Sequence, residues 1–308
     1  MPLYEKASTV VASVRSVLAQ SRRDFELVVV DDGSTDGGAD RVAAIDDPRI
    51  RIIPRSNAGV AAARNTGLQA ARAPVVAFID ADDCWDEDLL ETLMRLRERY
   101  PAARVWASGY RVVDGLMPAR DVRLGGLPDG FDEGVLDDYF AVAIRSEPPV
   151  CASALVIDRD ALLGIGGFPA GVTAGEDLLT WARLAERHPI AYSRRARATV
   201  RVPGADGRPG RRPQVPDRVG AELATLRRGS ARRYCAHWHR MRGMWFLECG
   251  DGPGARRELG RAVLIDPLNA GLWLRLAFVT MPGRVRASVE RALRRRPTGP
   301  AGQRNRLG

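Results

Sequence analysis

The order in which strand-like and helix-like segments alternate constrains this chain most. Runs rich in β-branched residues, typical of strands buried on both faces, lie at 26–30, 50–53 and 75–79. Before, between and after these runs, apolar periodicity predicts helices at 9–19, 36–45, 60–71 and 87–99. Strands and helices that alternate at this spacing form βαβ units. We therefore expect an α/β fold: a Rossmann-like three-layer sandwich with a mostly parallel sheet.

After these elements, a strand is predicted at 103–113 and a helix at 173–187. The last third of the chain differs from the rest in pattern and in charge. Prolines and glycines then interrupt the pattern from 194 to 210, and helical candidates follow at 218–228, 231–248, 254–265, 268–281 and 284–296. Residues 1–219 contain 29 Lys and Arg against 32 Asp and Glu, whereas residues 220–308 contain 18 against 6. We expect an α/β domain at 1–205, a linker at 206–216 and a basic helical region at 217–308.

Composition excludes several classes of protein. With 45% hydrophobic and 28% charged residues, the chain is neither disordered nor a coiled-coil rod. Its apolar stretches are shorter than the roughly 20 residues that a bilayer requires, and its amino terminus lacks the pattern of a secretory signal. The four cysteines are widely spaced without a C-x-x-C pair, which predicts neither a disulfide framework nor a zinc site. A cytoplasmic protein is expected.

Two predicted strands end in clusters of acidic residues. The first cluster spans Asp31–Asp36 and the second Asp80–Asp83. In open parallel sheets, ligands bind beyond the carboxyl ends of the strands. A turn followed by a helix cap would also explain the first cluster. The three carboxylates of the second repel one another unless a cation joins them, and Mg²⁺ usually binds one or two carboxylates together with phosphate oxygens. The second cluster therefore predicts a site for a metal and a pyrophosphate.

Two helix starts carry further polar residues. Asn57–Gly67 contains an alanine-rich helix that begins near Gly59, where free N–H groups favour negative charge. Arg64 and Asn65 on this helix favour ligand contact over packing alone. Thr173–Glu176 fits a capping box. Alternatively, this segment has a catalytic role, because Asp177 in the first helical turn could accept a proton from an attacking hydroxyl.

Together these motifs resemble a known family. In order and spacing, Pro2–Tyr4, Asp31–Asp36, Gly59–Gly67, Asp80–Asp83 and Gly175–Asp177 are similar to the inverting family-2 glycosyltransferases with a GT-A fold, over about residues 2–200. The resemblance implies a nucleotide-diphosphate-sugar donor, a UDP-sugar being favoured, and Mg²⁺ or Mn²⁺ as the cofactor. It implies a hydroxyl acceptor on a cell-envelope or lipid-linked glycan.

The resemblance also implies roles for individual residues. Asp177 would be the general base, and Asp80 and Asp82 would form a D-x-D metal element in which Asp82 contacts the metal directly. The implied donor-binding residues are Pro2, Tyr4, Glu5, Asp31, Asp32, Gly59, Arg64, Asp80 and Ala81. Family members usually begin with an apolar strand before the Pro-x-Tyr segment, so we expect the first strand to be missing or truncated. Glu5 stands where Asn is common.

Several alternatives stay open at the level of sequence. The basic helices are either a solvated arginine-rich face or a membrane-surface element in which Trp273, Leu274, Leu276 and Phe278 insert beside anionic headgroups, at the inner face of the cell membrane. Nucleic-acid binding is not expected, because no groove-reading or base-stacking module is present in the sequence. The alternative functions are a sugar-phosphate nucleotidyltransferase and an inactive nucleotide-sugar-binding scaffold.

Overall fold

A computed structural model describes residues 1–115, 118–202, 212–282 and 285. The chain divides into two compact units, 1–235 and 236–308. The predicted linker at 206–216 lies largely outside the described residues, as does nearly all of the helix predicted at 284–296. The domain limits at 205 and 217 therefore stay predictions.

The described residues form ten strands and eleven α-helices. The strands are β1 Pro2–Leu3, β2 Leu27–Asp31, β3 Ile50–Pro54, β4 Val75–Ala77, β5 Cys84–Trp85, β6 Val105–Asp114, β7 Arg120–Asp121, β8 Glu133–Val135, β9 Leu155–Asp158 and β10 Ile190–Val202. The helices are α1 Val10–Leu18, α2 Gly38–Ala43, α3 Val60–Ala70, α4 Leu89–Arg99, α5 Tyr139–Arg145, α6 Arg159–Gly164, α7 Glu176–Arg187, α8 Arg218–Leu223, α9 Ala231–Glu248, α10 Gly252–Ile265 and α11 Ala270–Thr280.

The described strands pair into two sheets. β1, β2 and β3 form a parallel sheet in that order, with Leu27 opposite Ile50. The second sheet has the order β4-β9-β6-β10-β5, with β7 on β6 and β8 on β10. In this sheet β6 and β10 are parallel, whereas the other pairs are antiparallel. The α/β fold with C-terminal helices is confirmed. Residues 194–202, where the sequence predicted an interrupted pattern, instead belong to the long strand β10.

A cavity of about 390 Å³ lies between β2 and β4, with Leu27 and Val28 on one side and Val75 on the other. β1, which contains Pro2 and Leu3, pairs with β2, and the missing or truncated first strand stays a prediction. The amino group of Met1 donates a hydrogen bond to the carbonyl oxygen of Val28 at 2.9 Å, at the margin of this cavity. Burial lowers the pKa of this amino group to about 5, although the charge of Asp80 opposes the shift.

Helices α1 and α4 and both sheets contribute to the main core. α4 buries Leu89, Leu93 and Leu96, which lie three or four residues apart and therefore share one helix face. Burial of each such side chain contributes about 2 kcal/mol. On the other side of β2, α3 packs through Ala63 against Val30, because a small residue lets helix and sheet approach closely. This packing fixes the start of α3 beside the carboxyl end of β2.

The second unit, described up to residue 282 and at 285, is helical. Its core contains two clusters, one of Ala236, Ala262, Val263 and Leu272 and one of Phe246, Ala255, Leu259 and Val279. Glu258 is buried beside them and accepts hydrogen bonds from Arg242 and Arg261. Buried carboxylates of this kind need such partners. None of the helices among the described residues is both long and apolar enough to cross a bilayer.

Candidate active site

The segment between β1 and α1 lies against both acidic loops. The backbone N–H of Thr35 donates to Glu5 Oε1 at 2.8 Å, which ties this segment to the loop after β2. Thr9 Oγ1 donates to the carbonyl oxygen of Ala81 at 2.9 Å, which ties it to the loop after β4. Lys6 Nζ forms an ion pair with Asp82 Oδ2 at 2.5 Å. The three segments singled out in the sequence therefore meet at one edge of the fold.

Residues of the first acidic loop are mostly engaged in local structure. Asp31 Oδ1 accepts a hydrogen bond from the N–H of Ser34 at 3.0 Å, which stabilises the turn. Asp32 is buried; Oδ2 accepts from the N–H of Gly59 at 2.8 Å, and Oδ1 pairs with Arg55 at 3.0 Å. Gly59 has φ = 89°, a conformation that glycine adopts without strain. Asp32 thus holds the start of α3 in place, and its role toward a nucleotide base stays a prediction.

The predicted nucleotide-pocket residues at the amino terminus lie next to this loop. Pro2 belongs to β1, and Tyr4 is 51% exposed. Glu5 is the one non-glycine residue with positive φ, 50°, in the part of the chain that the structure describes. That conformation costs an L-residue about 1–2 kcal/mol. The bonds that Glu5 accepts from the backbone N–H and hydroxyl of Thr35 offset part of this cost.

The second acidic loop sends its three carboxylates in different directions. Asp80 accepts two hydrogen bonds from Arg64, at 2.8 and 3.0 Å, and Asp82 pairs with Lys6. The side chains of Asp80 and Asp82 are 35% and 21% exposed. Asp83 instead points inward and accepts hydrogen bonds from Ser153 Oγ and from the N–H of Arg201. Burial raises the pKa of Asp83 to about 7. Asp83 therefore supports the loop, whereas Asp80 and Asp82 can reach a ligand.

Arg64 is the buried cation at the centre of the site. Besides Asp80, it pairs with Glu176 Oε1 at 3.4 Å, and its guanidinium lies 5.2 Å from the centroid of the Phe168 ring. The sequence did not single out Glu176 as a site residue; its position next to Asp177 was the available signal. Burial raises the pKa of Glu176 to about 7, and the charge of Asp177 adds to this shift.

Asn65 is bonded to the loop before α7, and its predicted contact with a ligand stays a prediction. Its Nδ2 donates to the carbonyl oxygen of Phe168 at 2.8 Å, and its Oδ1 accepts from the N–H of Phe168 at 2.8 Å. Both groups of the amide are thus used to fasten the loop before α7. Gly167 fits there because a Cβ atom on it would lie 2.5 Å from Asn65 Oδ1.

Asp177 lies in the first turn of α7, as predicted, but the predicted capping box is wrong. The helix begins at Glu176 after Gly175, and the N–H of Thr173 donates to Gln214 Oε1. Thr173 therefore precedes the N-cap position, where its side chain cannot cap the helix. Asp177 Oδ1 accepts from its neighbour's N–H, that of Leu178, at 2.7 Å. Burial raises the pKa of Asp177, and the positive charge of Arg64 opposes that shift.

The side chains of the site offer the oxygen ligands that a hard divalent cation prefers. Asp80, Asp82, Glu176 and Asp177 offer carboxylate oxygens, which Mg²⁺ and Mn²⁺ prefer to nitrogen or sulfur ligands. Among the described residues, no three side chains of this site bring ligand atoms within 4.8 Å of one another. A cation bound here would therefore complete its coordination with oxygens from a ligand, as Mg²⁺ does with phosphates.

Comparisons with known proteins identify the family of this chain. The model of glycosyl transferase family 2 matches residues 1–139. A putative teichuronic acid biosynthesis glycosyltransferase, TuaG of Bacillus subtilis, is 41% identical over 195 residues, which cover 62% of this chain and 72% of the relative. The chain belongs to glycosyltransferase family 2, and its fold is GT-A. Both predictions are confirmed.

Other relatives share shorter or more distant similarity. Uncharacterised glycosyltransferases of Rickettsia felis and Rickettsia conorii are 27% and 26% identical over 208 residues, 66% of this chain, and the chain spans about a third, 32%, of their length. The crystal structure of S. aureus TarS 1-349 in complex with UDP-GlcNAc has a TM-score of 0.67 and 17% identity, covering 94% of this chain and 90% of that one. This similarity shows the shared fold.

Proposed function

We propose that the protein transfers a sugar from a nucleotide-diphosphate donor, with UDP-sugars favoured, to a hydroxyl of a cell-envelope or lipid-linked glycan, and that the anomeric configuration is inverted. One observation carries the proposal: Arg64 links the D-x-D loop to the start of α7, where Asp177 lies, at a single edge of the fold. Family membership favours this function over a nucleotidyltransferase.

The relatives support the substrate classes. One relative is named as a glucosyltransferase that uses UDP-Glc and a GlcNAc-diphosphoundecaprenol acceptor, WfgD of Escherichia coli. It is 41% identical over 92 residues, 30% of this chain and 36% of the relative. TuaG is named for teichuronic acid biosynthesis, and TarS was crystallised with UDP-GlcNAc. A UDP-sugar is thus named for WfgD and TarS, and an acceptor or product glycan is named for WfgD and TuaG.

Asp80 and Asp82 would hold Mg²⁺ or Mn²⁺, which supplies Lewis-acid stabilisation of the charge that accumulates on the diphosphate leaving group. Arg64 keeps Asp80 oriented through two hydrogen bonds. It also keeps positive charge beside the phosphates, where it stabilises a developing anion. The other predicted donor residues, Pro2, Tyr4 and Glu5, lie on the segment that borders the same edge.

Asp177 would act as the general base. Its carboxylate takes the proton of the acceptor hydroxyl while that oxygen attacks the anomeric carbon, and the bond from this carbon to the β-phosphate oxygen breaks. One displacement of this kind inverts the anomeric configuration. The raised pKa of Asp177 suits a base that works near neutral pH.

The test is Asp177→Asn, compared with Asp160→Asn at a 93% exposed position on α6. Release of nucleoside diphosphate is measured with a panel of sugar donors and Mn²⁺, and donor binding is measured by calorimetry. We expect Asp177→Asn to bind donor normally and to lose about 10²–10⁴-fold in turnover. Unchanged turnover in Asp177→Asn would remove this residue from the mechanism.

We further propose a cytoplasmic location, peripheral on the inner face of the cell membrane. In support, Leu268, Trp273 and Leu274 of the second unit are 95%, 52% and 72% exposed. The predicted membrane-inserting set was partly wrong, because Leu276 and Phe278 pack against the core of this unit. An amphipathic helix in an arginine-rich region binds anionic lipid through its apolar face.

Flotation with phosphatidylglycerol vesicles tests this location. Replacing Leu268 and Leu274 by Ser should reduce co-flotation with anionic vesicles while leaving the folded state intact, because both side chains are exposed. The matched control is Leu163→Ser, at a 38% exposed position in the first unit. Equal co-flotation of the double variant and the unchanged chain would contradict the membrane location.

A further inference from the structure

Lys6 is placed beside the predicted metal ligand Asp82, and no role has been assigned to it. The side chains of Lys6 and Asp82 are 41% and 21% exposed, so this ion pair lies at the surface of the site rather than in the core. The residues are 76 positions apart in the sequence. Their contact is therefore produced by the fold and brings a second positive charge to the region where a diphosphate would bind.

The backbone on both sides of Lys6 is fastened. The N–H of Ala7 donates to Asp36 Oδ2 at 2.7 Å, and the hydroxyl of Thr9 donates to Ala81. The carbonyl oxygen of Lys6 accepts from the N–H groups of Thr9 and Val10, where α1 begins. The Cα atom of Lys6 is thus held between the two acidic loops. Only its flexible side chain can move, and that movement stays within reach of the site.

The type of residue is also informative. Lys6 is the only lysine among the 47 Lys and Arg residues of the chain. A guanidinium forms rigid bidentate pairs, as Arg64 does with Asp80. An ammonium is a compact point charge with three donors, and it can therefore exchange one oxygen partner for another by rotation of its stem. A lysine at this position can bind a carboxylate and a phosphate in turn.

We propose that Lys6 binds the diphosphate of the sugar donor. Its ammonium neutralises Asp82 before the donor binds, and donates to a phosphate oxygen once the donor and the cation occupy the site. The ammonium and the cation then compete for Asp82 when no nucleotide is present. This inference rests on the proposed function, and it adds a phosphate-binding residue to the site.

Calorimetry with UDP, UMP and uridine tests the phosphate contact. Lys6→Met should weaken UDP binding about tenfold or more, the cost of losing one charge-assisted hydrogen bond, and should leave uridine binding unchanged. Lys6→Arg should recover part of the loss. The matched control is Arg15→Met, which removes one positive charge at an exposed position on α1. Equal UDP affinity of Lys6→Met and the unchanged chain would overturn the proposal.

Competition for Asp82 gives a readout that does not depend on nucleotide. Titration with Mn²⁺ alone, followed by electron paramagnetic resonance, should show tighter binding in Lys6→Met, because the competing ammonium is gone. Arg15→Met should bind Mn²⁺ as the unchanged chain does. Equal Mn²⁺ affinity in Lys6→Met and the unchanged chain would contradict the competition.

Amine labelling gives an independent test on the unmodified chain. Because Lys6 is the only lysine and the Met1 amino group is buried, reductive methylation followed by mass spectrometry reports on Lys6. UDP with Mn²⁺ should slow labelling several-fold, and uridine should not. If UDP binds by calorimetry but leaves the labelling rate unchanged, the role of Lys6 is refuted and the proposed function survives. If no nucleoside diphosphate binds, the proposed function fails as well.

Discussion

Replacement of Arg64 by Met probes the charge balance of the site most directly. Arg64 is 5% exposed and faces Asp80 and Glu176, so the substitution leaves two carboxylates without their buried counter-charge. Removing one partner of a buried ion pair costs about 3–5 kcal/mol. Because the side chain of Asp80 keeps 35% exposure, water offsets part of the loss. We expect a decrease in the free energy of unfolding at the lower end, about 3 kcal/mol at pH 8.

The decrease in the free energy of unfolding caused by Arg64→Met should be larger at high pH than at low pH. Without Arg64, the charged form of Glu176 loses a favourable interaction, so its pKa, already raised to about 7 by burial, rises further above the value in the unfolded chain. Groups shifted in this way destabilise the fold at high pH, and protonation relieves the penalty as pH falls. The loss at pH 5.5 should therefore be smaller than at pH 8.

Urea denaturation followed by circular dichroism at both pH values measures the effect. The control is Arg95→Met, at an exposed position on α4, for which we expect a change within about 0.5 kcal/mol. A loss below about 1 kcal/mol at pH 8, or an equal loss at both pH values, would refute the reasoning.

Three further predictions concern neighbouring groups. Glu176→Gln should move the acid limb of the transfer rate to lower pH, since loss of the neighbouring negative charge lowers the raised pKa of the base Asp177; a pH–rate profile shows this. Gly167→Ala should reduce the free energy of unfolding by about 2–4 kcal/mol in urea titrations, because φ is +69° and the new Cβ would overlap Asn65. The Met1 amino group, with its pKa lowered from 8.0 to about 5, binds fewer protons than in the unfolded chain between these pH values. Asp83 and Glu176, with raised pKa values, act in the opposite direction, so the contribution of the amino group is measured against the N-acetylated chain. From pH 5 to pH 8 the free energy of unfolding of the free chain should rise by up to about 4 kcal/mol relative to that of the N-acetylated chain in denaturation curves.

The longer elements up to residue 99 followed from sequence because they have strong local signals, whereas the short strands β1, β5, β7 and β8 and the helix α5 were not predicted. β2 and β3 are rich in β-branched residues, and α4 presents Leu89, Leu93 and Leu96 on one face. β10 was missed in part because residues 194–202 carry four arginines and no continuous apolar run. Its pairing with β6 is a tertiary effect, which local pattern does not encode.

The candidate site was also predictable from sequence only in part. The acid clusters and Asp177 stand out by residue type and spacing, so sequence could propose them. The inward turn of Asp83, the buried position of Arg64 between Asp80 and Glu176, and the ion pair of Lys6 all depend on contacts between distant segments. No local spacing specifies such contacts, and only the folded structure shows them.

Calorimetric titration with UDP in the presence and absence of Mn²⁺ tests the central claim, that a divalent cation at Asp80 and Asp82 holds the diphosphate of the donor. We expect Mn²⁺ to strengthen UDP binding at least about tenfold, a difference of about 1.4 kcal/mol, and Asp82→Asn to remove this gain. UDP affinity that is the same with and without Mn²⁺, or a full gain retained in Asp82→Asn, would contradict the account.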